Sequence, residues 1–112
     1  MKPVKLDISI QKGSTFRKVL QMKQQDGTPV NLVGSLIRAK IRKSYESIVQ
    51  LSLNPEIIDP LDGKFKLELS ALTTENIHFA CGVYDVEIEY TNGDVAQIIF
   101  GNVLVKKEAT YG

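Results

Sequence analysis

Apolar side chains recur at every second position along most of this chain, and clusters of glycine, proline, asparagine and aspartate interrupt the alternation about every ten residues. A period of two is that of a β-strand with one buried face, whereas an amphipathic helix needs 3.6. The first run sets Val4, Leu6, Ile8 and Ile10 against Lys5, Asp7 and Ser9, and Lys12-Gly13-Ser14 ends it. The clearest run is Leu36 to Arg42, with Ile37, Ala39 and Ile41 on one face and Arg38, Lys40 and Arg42 on the other.

Further strands follow from the same rule. Thr15 to Gln24 puts Phe16, Leu20 and Met22 on one face, and Lys18 interrupts that face in a way that suggests a bulge. Gln25-Asp26-Gly27-Thr28-Pro29 predicts a reversal, because Asp-Gly takes positive φ and Pro29 cannot donate to a central ladder. Val30 to Val33 reads as a short extended piece and residues 43–47 as a polar loop. Ile48 to Leu53 points Val49, Leu51 and Leu53 inward, Asn54-Pro55 breaks the run, and Glu56 to Ile58 adds a brief pairing. After the turn cluster Asp59-Pro60-Leu61-Asp62-Gly63, Lys64 to Leu69 buries Phe65, Leu67 and Leu69. Gly82 to Thr91 sets Tyr84, Val86, Ile88 and Tyr90 against Asp85, Glu87 and Glu89. Asn92-Gly93-Asp94 predicts a type I′ hairpin, and Val95 to Val105 completes it with a change of phase at Gly101-Asn102. The single helical candidate is Ser70 to Ile77, a short crossing helix or 3₁₀ turn with cap-type residues and an acidic first turn.

About seven or eight strands and one short crossing helix make residues 1–112 a single all-β domain, an antiparallel sandwich of immunoglobulin-like type. Its expected core is Leu6, Ile8, Phe16, Leu20, Ile37, Ala39, Ile41, Leu51, Phe65, Leu67, Tyr84, Val86 and Ile88. Tyr84 after a helical crossing resembles a tyrosine corner, whose phenol ties the crossing loop to the strand; a plain half-buried tyrosine is the alternative. With 43% apolar and 24% charged residues, 112 residues hold one core and fold without metals or disulfides.

The remaining composition narrows function. Fourteen basic and thirteen acidic residues leave a formal charge of +1, which lacks the basic field expected of a nucleic-acid or anionic-membrane binder. No run approaches the length of about 18 apolar residues that a membrane span needs, and Met1-Lys2-Pro3-Val4-Lys5 opens without an apolar signal region, so cytosolic synthesis is expected. Cys81 has no partner for an internal disulfide and reads as inert packing. His78 and Cys81 are too few for zinc and lack a third orienting group, so no catalytic residue, metal ligand or cofactor is expected. Asp59, Asp62 and Asp94 read as turn formers. The stripe Arg38, Lys40 and Arg42 reads as cross-strand partners of Asp85, Glu87 and Glu89.

A wider pattern runs through the chain. Ile10-Gln11-Lys12-Gly13-Ser14-Thr15-Phe16, Asp26-Gly27-Thr28-Pro29 leading to Leu32 and Gly34, Ala39-Lys40-Ile41-Arg42, Asp62-Gly63 leading to Leu67 and Leu69, and Gly82-Val83-Tyr84 leading to Glu87 occur in that order. Together they resemble small β-sandwich proteins of tailed bacteriophages and prophages, in particular the amino-terminal domain of upper baseplate proteins. Gly101-Asn102-Val103-Leu104-Val105 fits as well, whereas His78-Phe79-Ala80-Cys81 departs from the short Leu-Pro-Ala-like lead expected before Gly82.

The resemblance implies a virion component of tail, baseplate or neck that contributes contacts rather than catalysis and meets other phage structural proteins or copies of itself. Edge strands and chain ends are the expected means, which nominates Ile8, Val103 and Lys106, with Met1 to Lys5 and Lys107 extending the pairing. A side-chain surface at Arg38, Arg42 and Tyr45 is the other candidate. A carbohydrate- or receptor-binding sandwich is the alternative function, although Trp is absent and only Tyr45 and Tyr111 fall in expected loops or tails. A small cytoplasmic hydrolase or regulator has no readable site.

Overall fold

A computed structural model describes residues 3–48 and 50–107. Its strands are β1 (Val4–Lys5), β2 (Ile8–Gln11), β3 (Phe16–Gln21), β4 (Leu36–Arg42), β5 (Gln50–Ser52), β6 (Glu56–Asp59), β7 (Lys64–Leu69), β8 (Cys81–Glu89) and β9 (Val95–Lys106), with helix α1 (Ala71–Glu75) between β7 and β8. One sheet runs β1-β9-β8-β4-β5, with β2 also on β9; the other runs β3-β7-β6. Alternation places the inner faces as expected. Ile37, Ala39 and Ile41 of β4, Phe65, Leu67 and Leu69 of β7, and Tyr84, Val86 and Ile88 of β8 join one buried cluster shared by both sheets. Leu6, Phe16, Leu20 and Leu51 sit half-buried at its margins. Val49, Met1, Lys2 and Tyr111 lie outside the described residues.

The expected first strand is split. β1 and β2 both pair with β9, and in parallel, with Val4 opposite Ile99 and Ile8 opposite Val103. Leu6 and Asp7 form the join. Asp7 turns its carboxylate onto the Asn102 amide at 2.9 Å, and the Leu6 carbonyl accepts the Tyr84 phenol. The opposing position on β9 is Gly101, where a Cβ would collide with that carbonyl. Tyr84 thus ties β8 to the N-terminal strand rather than to the helical crossing, so the tyrosine-corner reading is corrected. The phase change in β9 also lies earlier than expected. Ile98 and Ile99 are both buried, and a bulge opposite Val86 and Glu87 absorbs the extra residue, so Gly101 stays in phase with Val103.

Two turns share one construction. Gly93 donates to Tyr90 at 2.9 Å with φ +91°, and Gly27 donates to Gln24 at 2.9 Å with φ +89°. Each is a three-residue loop with a left-handed glycine in its last place, not the two-residue I′ turn expected at Asn92-Gly93. Asn92 and Asp26 each accept the amide two residues on, which makes the earlier turn residue the cap of the loop. The Thr28 hydroxyl and amide hold the Asp26 carboxyl below its usual range.

β3 pairs with β7 in unbroken register, so the bulge suggested by Lys18 does not form. Lys18 stays on the inner face, half-buried, because β3 is an edge strand past which an ammonium reaches water. Val30 to Val33 forms no strand; Lys23 and Pro29 make an isolated bridge instead. Helix α1 is capped by Ser70, whose hydroxyl accepts the Thr73 amide at 3.2 Å, and Glu75 ends the helix rather than charging its first turn. Buried Thr74 donates to the Ser14 carbonyl at 2.8 Å and accepts the Gly13 amide at 3.1 Å, fastening the crossing to the turn between β2 and β3.

The two sides of the molecule are closed differently. Where β5 passes to β6, Leu53 donates to Ala39 of one sheet and accepts from Glu68 of the other, both at 2.9 Å, so the backbone joins the sheets. On the opposite side, β1 and β2 end one sheet and β3 ends the other.

Candidate functional site

The register of β4 and β8 brings the nominated cations against acidic neighbours only in part. Arg38 faces Glu87 and Lys40 faces Asp85, but Arg42 faces Val83. Arg38 holds Glu87 at 2.6 Å through Nε and Glu89 at 3.1 Å through Nη1. The Glu87 hydrogen bond, then that of Glu89, raises the guanidinium above its ordinary value. Arg38 is therefore committed to its own sheet. Lys40 makes no ion pair among the described residues. Arg42 is half-buried, and its Nε is buried without a hydrogen-bond partner. A shallow cavity of about 310 Å³ lies over this column, with Gln50 and Asp85 on its walls.

The β4 end of that column leads into residues 43–48. Ser47 closes a turn onto Ser44 at 3.1 Å, and Tyr45 is 58% exposed. Ile48 is 94% exposed. Alternation alone did not mark Ile48, because its strand was expected to begin there; the described strand begins at Gln50.

Val103 lies on an inner strand, and Ile8 lies on the edge strand β2 with its backbone turned to β9. They are each other's partners across β2 and β9, and both side chains are buried. Alternation reports which face a residue takes but not which strand lies beside it, and here the two chain ends pair with each other. Lys106 is exposed opposite Gln11 and accepts the Lys12 amide at 2.8 Å. The Leu6 amide bonds to Phe100 and the Lys12 amide to Lys106, so even-numbered positions of β2 face β9 and the amides of Ser9 and Gln11 face outward.

The open side between β1 and β3 holds a cleft of about 900 Å³ that the sequence did not suggest. Val4, Leu6, Leu20, Met22, Ile98 and Ile99 line its apolar part, with Lys23 and Asp26 at the rim. These residues come from segments far apart in the chain, and only the topology collects them.

Cys81 is exposed on the outer face opposite Leu104, so the packing role expected for it is corrected. His78 is exposed too. Among the described residues no group of three or more His, Cys, Asp and Glu could hold a metal ion, and no helix is long and apolar enough to cross a membrane. No protein-family model matches the chain, and no curated protein matches it.

Proposed function

We propose that this chain is a non-enzymatic structural component of a tailed-phage virion, in the baseplate, tail or neck, that acts through protein–protein contacts. The observation that carries the reading is the surface at residues 42–48. Tyr45 and Ile48 present aromatic and aliphatic area to solvent in the loop that follows Arg42 in the chain. An exposed aromatic with an adjacent arginine and aliphatic side chain is the composition of an interface centre.

The strand order supports the immunoglobulin-like identity behind this reading. β3, β7 and β6 take the places of strands B, E and D, β4, β8 and β9 those of C, F and G, and α1 occupies the E–F crossing. The segments that carry the phage resemblance fall on structural positions: Asp26-Gly27-Thr28 on a turn, Ala39 to Arg42 on β4, Asp62-Gly63 before β7, and Gly82 to Glu87 on β8.

The experiment is incorporation of variants into particles, with folding checked by thermal melt. Ile48→Asp and Tyr45→Ala are expected to lower copy number per particle at unchanged melting temperature. Unchanged copy number for both rejects the surface.

A further inference from the structure

The cleft between β1 and β3 combines three properties. It is lined by apolar side chains, it lies on the side away from the Leu53 backbone bonds that join the sheets, and it is flanked by the edge strands β1 and β3. The edge on β3 can be read residue by residue. Met22 donates to Gly63 at 2.8 Å in continuation of the β3–β7 register, so the antiparallel alternation turns Leu20 and Lys18 toward β7. Arg17, Val19 and Gln21 then present their amides and carbonyls outward, and Val19 is 53% exposed.

Charge defines what fits this edge. Lys18, half-buried on the inner face of β3 two residues before Leu20, and Lys23, in the lining of the cleft, stand on either side of Leu20 and Met22 along the chain. Neither has an ion-pair partner among the described residues. The acidic neighbours are engaged elsewhere: Glu68 holds Arg17 on the outer face, and Asp26 is folded back on Thr28. A strand laid along β3 would extend about 17 Å between the two lysines, at about 3.3 Å per residue.

We propose that the β3 edge and the adjoining cleft receive an extended segment of another protein, added as a strand, with apolar side chains facing Leu20, Val4 and Leu6 and a carboxylate near each end. This names the partner chemistry of the assembly role proposed above and rests on that reading. Main-chain pairing supplies affinity in such an addition, and the side chains on alternate positions supply choice. The basic ends select against segments such as this chain's own Lys-bearing N-terminus.

The test uses the full chain and a labelled, capped peptide of about seven residues, with glutamate at both ends, valine at the two inward positions and threonine between. Fluorescence anisotropy is expected to show saturable binding, and a version with lysine at both ends is expected to bind at least about tenfold more weakly. Lys18→Glu is expected to reverse that preference. Val19→Pro blocks an outward amide without touching the ladder to β7 and is expected to weaken binding at least about tenfold, with folding checked by melting. Binding absent up to about 1 mM, or indifferent to both the end charges and Val19→Pro, overturns the proposal. So does a concentration-dependent dimer abolished by Val19→Pro without peptide binding, which would assign the edge to a second copy. If the peptide fails while Ile48→Asp still lowers copy number in particles, the assembly role stands and only the cleft assignment falls.

Discussion

Tyr84 donates its phenol hydrogen to the carbonyl of Leu6, a residue 78 positions earlier, and this bond anchors the N-terminal segment to the middle of the six-stranded sheet. The ring is buried and lies opposite Gly101, whose missing side chain lets the Leu6 backbone approach. Burial first, and the negative charge of Asp7 second, push the phenol up to about 12 from 10.0.

The neutral phenol is therefore the folded form. Its contribution is complete below about pH 10 and is lost as pH rises through about 12, so stability falls across that alkaline window. An ultraviolet titration should show a phenolate transition near 12 that Tyr84→Phe removes, together with the matching part of the alkaline stability loss. At neutral pH, Tyr84→Phe should cost about 1 to 2 kcal/mol, because the Leu6 carbonyl loses its partner in a buried place. A titration with no transition above 11 would contradict this account of Tyr84.

How much of this could be read from the chain varies with what alternation can encode. β4, β7 and β8 are legible because each has a clean period of two, and their inner residues lie in the core. The parallel pairing of β1 and β2 with β9 was not, since Val4 to Ile10 specifies a buried face and leaves the neighbour open. Lys18 misled because an inward lysine conflicts with a core only in a central strand, and edge position was not visible. Of the nominated site residues, Tyr45 and Lys106 are exposed, Arg38 and Arg42 are half-buried on the outer face, and Ile8 and Val103 are interior. The apolar cleft is a product of topology alone.

Thr74 gives a second test of how the ends of the sandwich are held. Its hydroxyl serves both Gly13 and Ser14 across the gap between the helix and the β2–β3 turn. Thr74→Val keeps the shape and removes both of these bonds, along with the hydroxyl's contact to the Ala71 carbonyl at 3.0 Å. Chemical denaturation should show a loss of about 1 to 3 kcal/mol, with the amides of residues 13–15 exchanging faster. Unchanged stability would mean the crossing is held by Ile77 packing alone.

Proline substitution separates the two faces of the first strand. The Ile8 amide points to β9, so Ile8→Pro should cost about 3 kcal/mol or more, because a ladder bond is lost inside the core. The Ser9 amide points outward, so Ser9→Pro should cost less than about 1 kcal/mol. Thermal melts of the two proteins decide it; equal destabilisation would mean that the outward alternation deduced for β2 is wrong. Ser9→Pro, once its melt shows it folded, is also the proper probe of whether the β2 edge takes part in assembly.

The central claim is that this chain is a built-in part of a virion. Quantitative mass spectrometry of particles purified from a lysate or an induced lysogen carrying its gene tests it most directly. The account predicts peptides of this chain that co-sediment with tail proteins at a fixed ratio through successive gradient fractions. Particles complete and infectious without any peptide of the chain, while it is abundant in the soluble fraction, would contradict it.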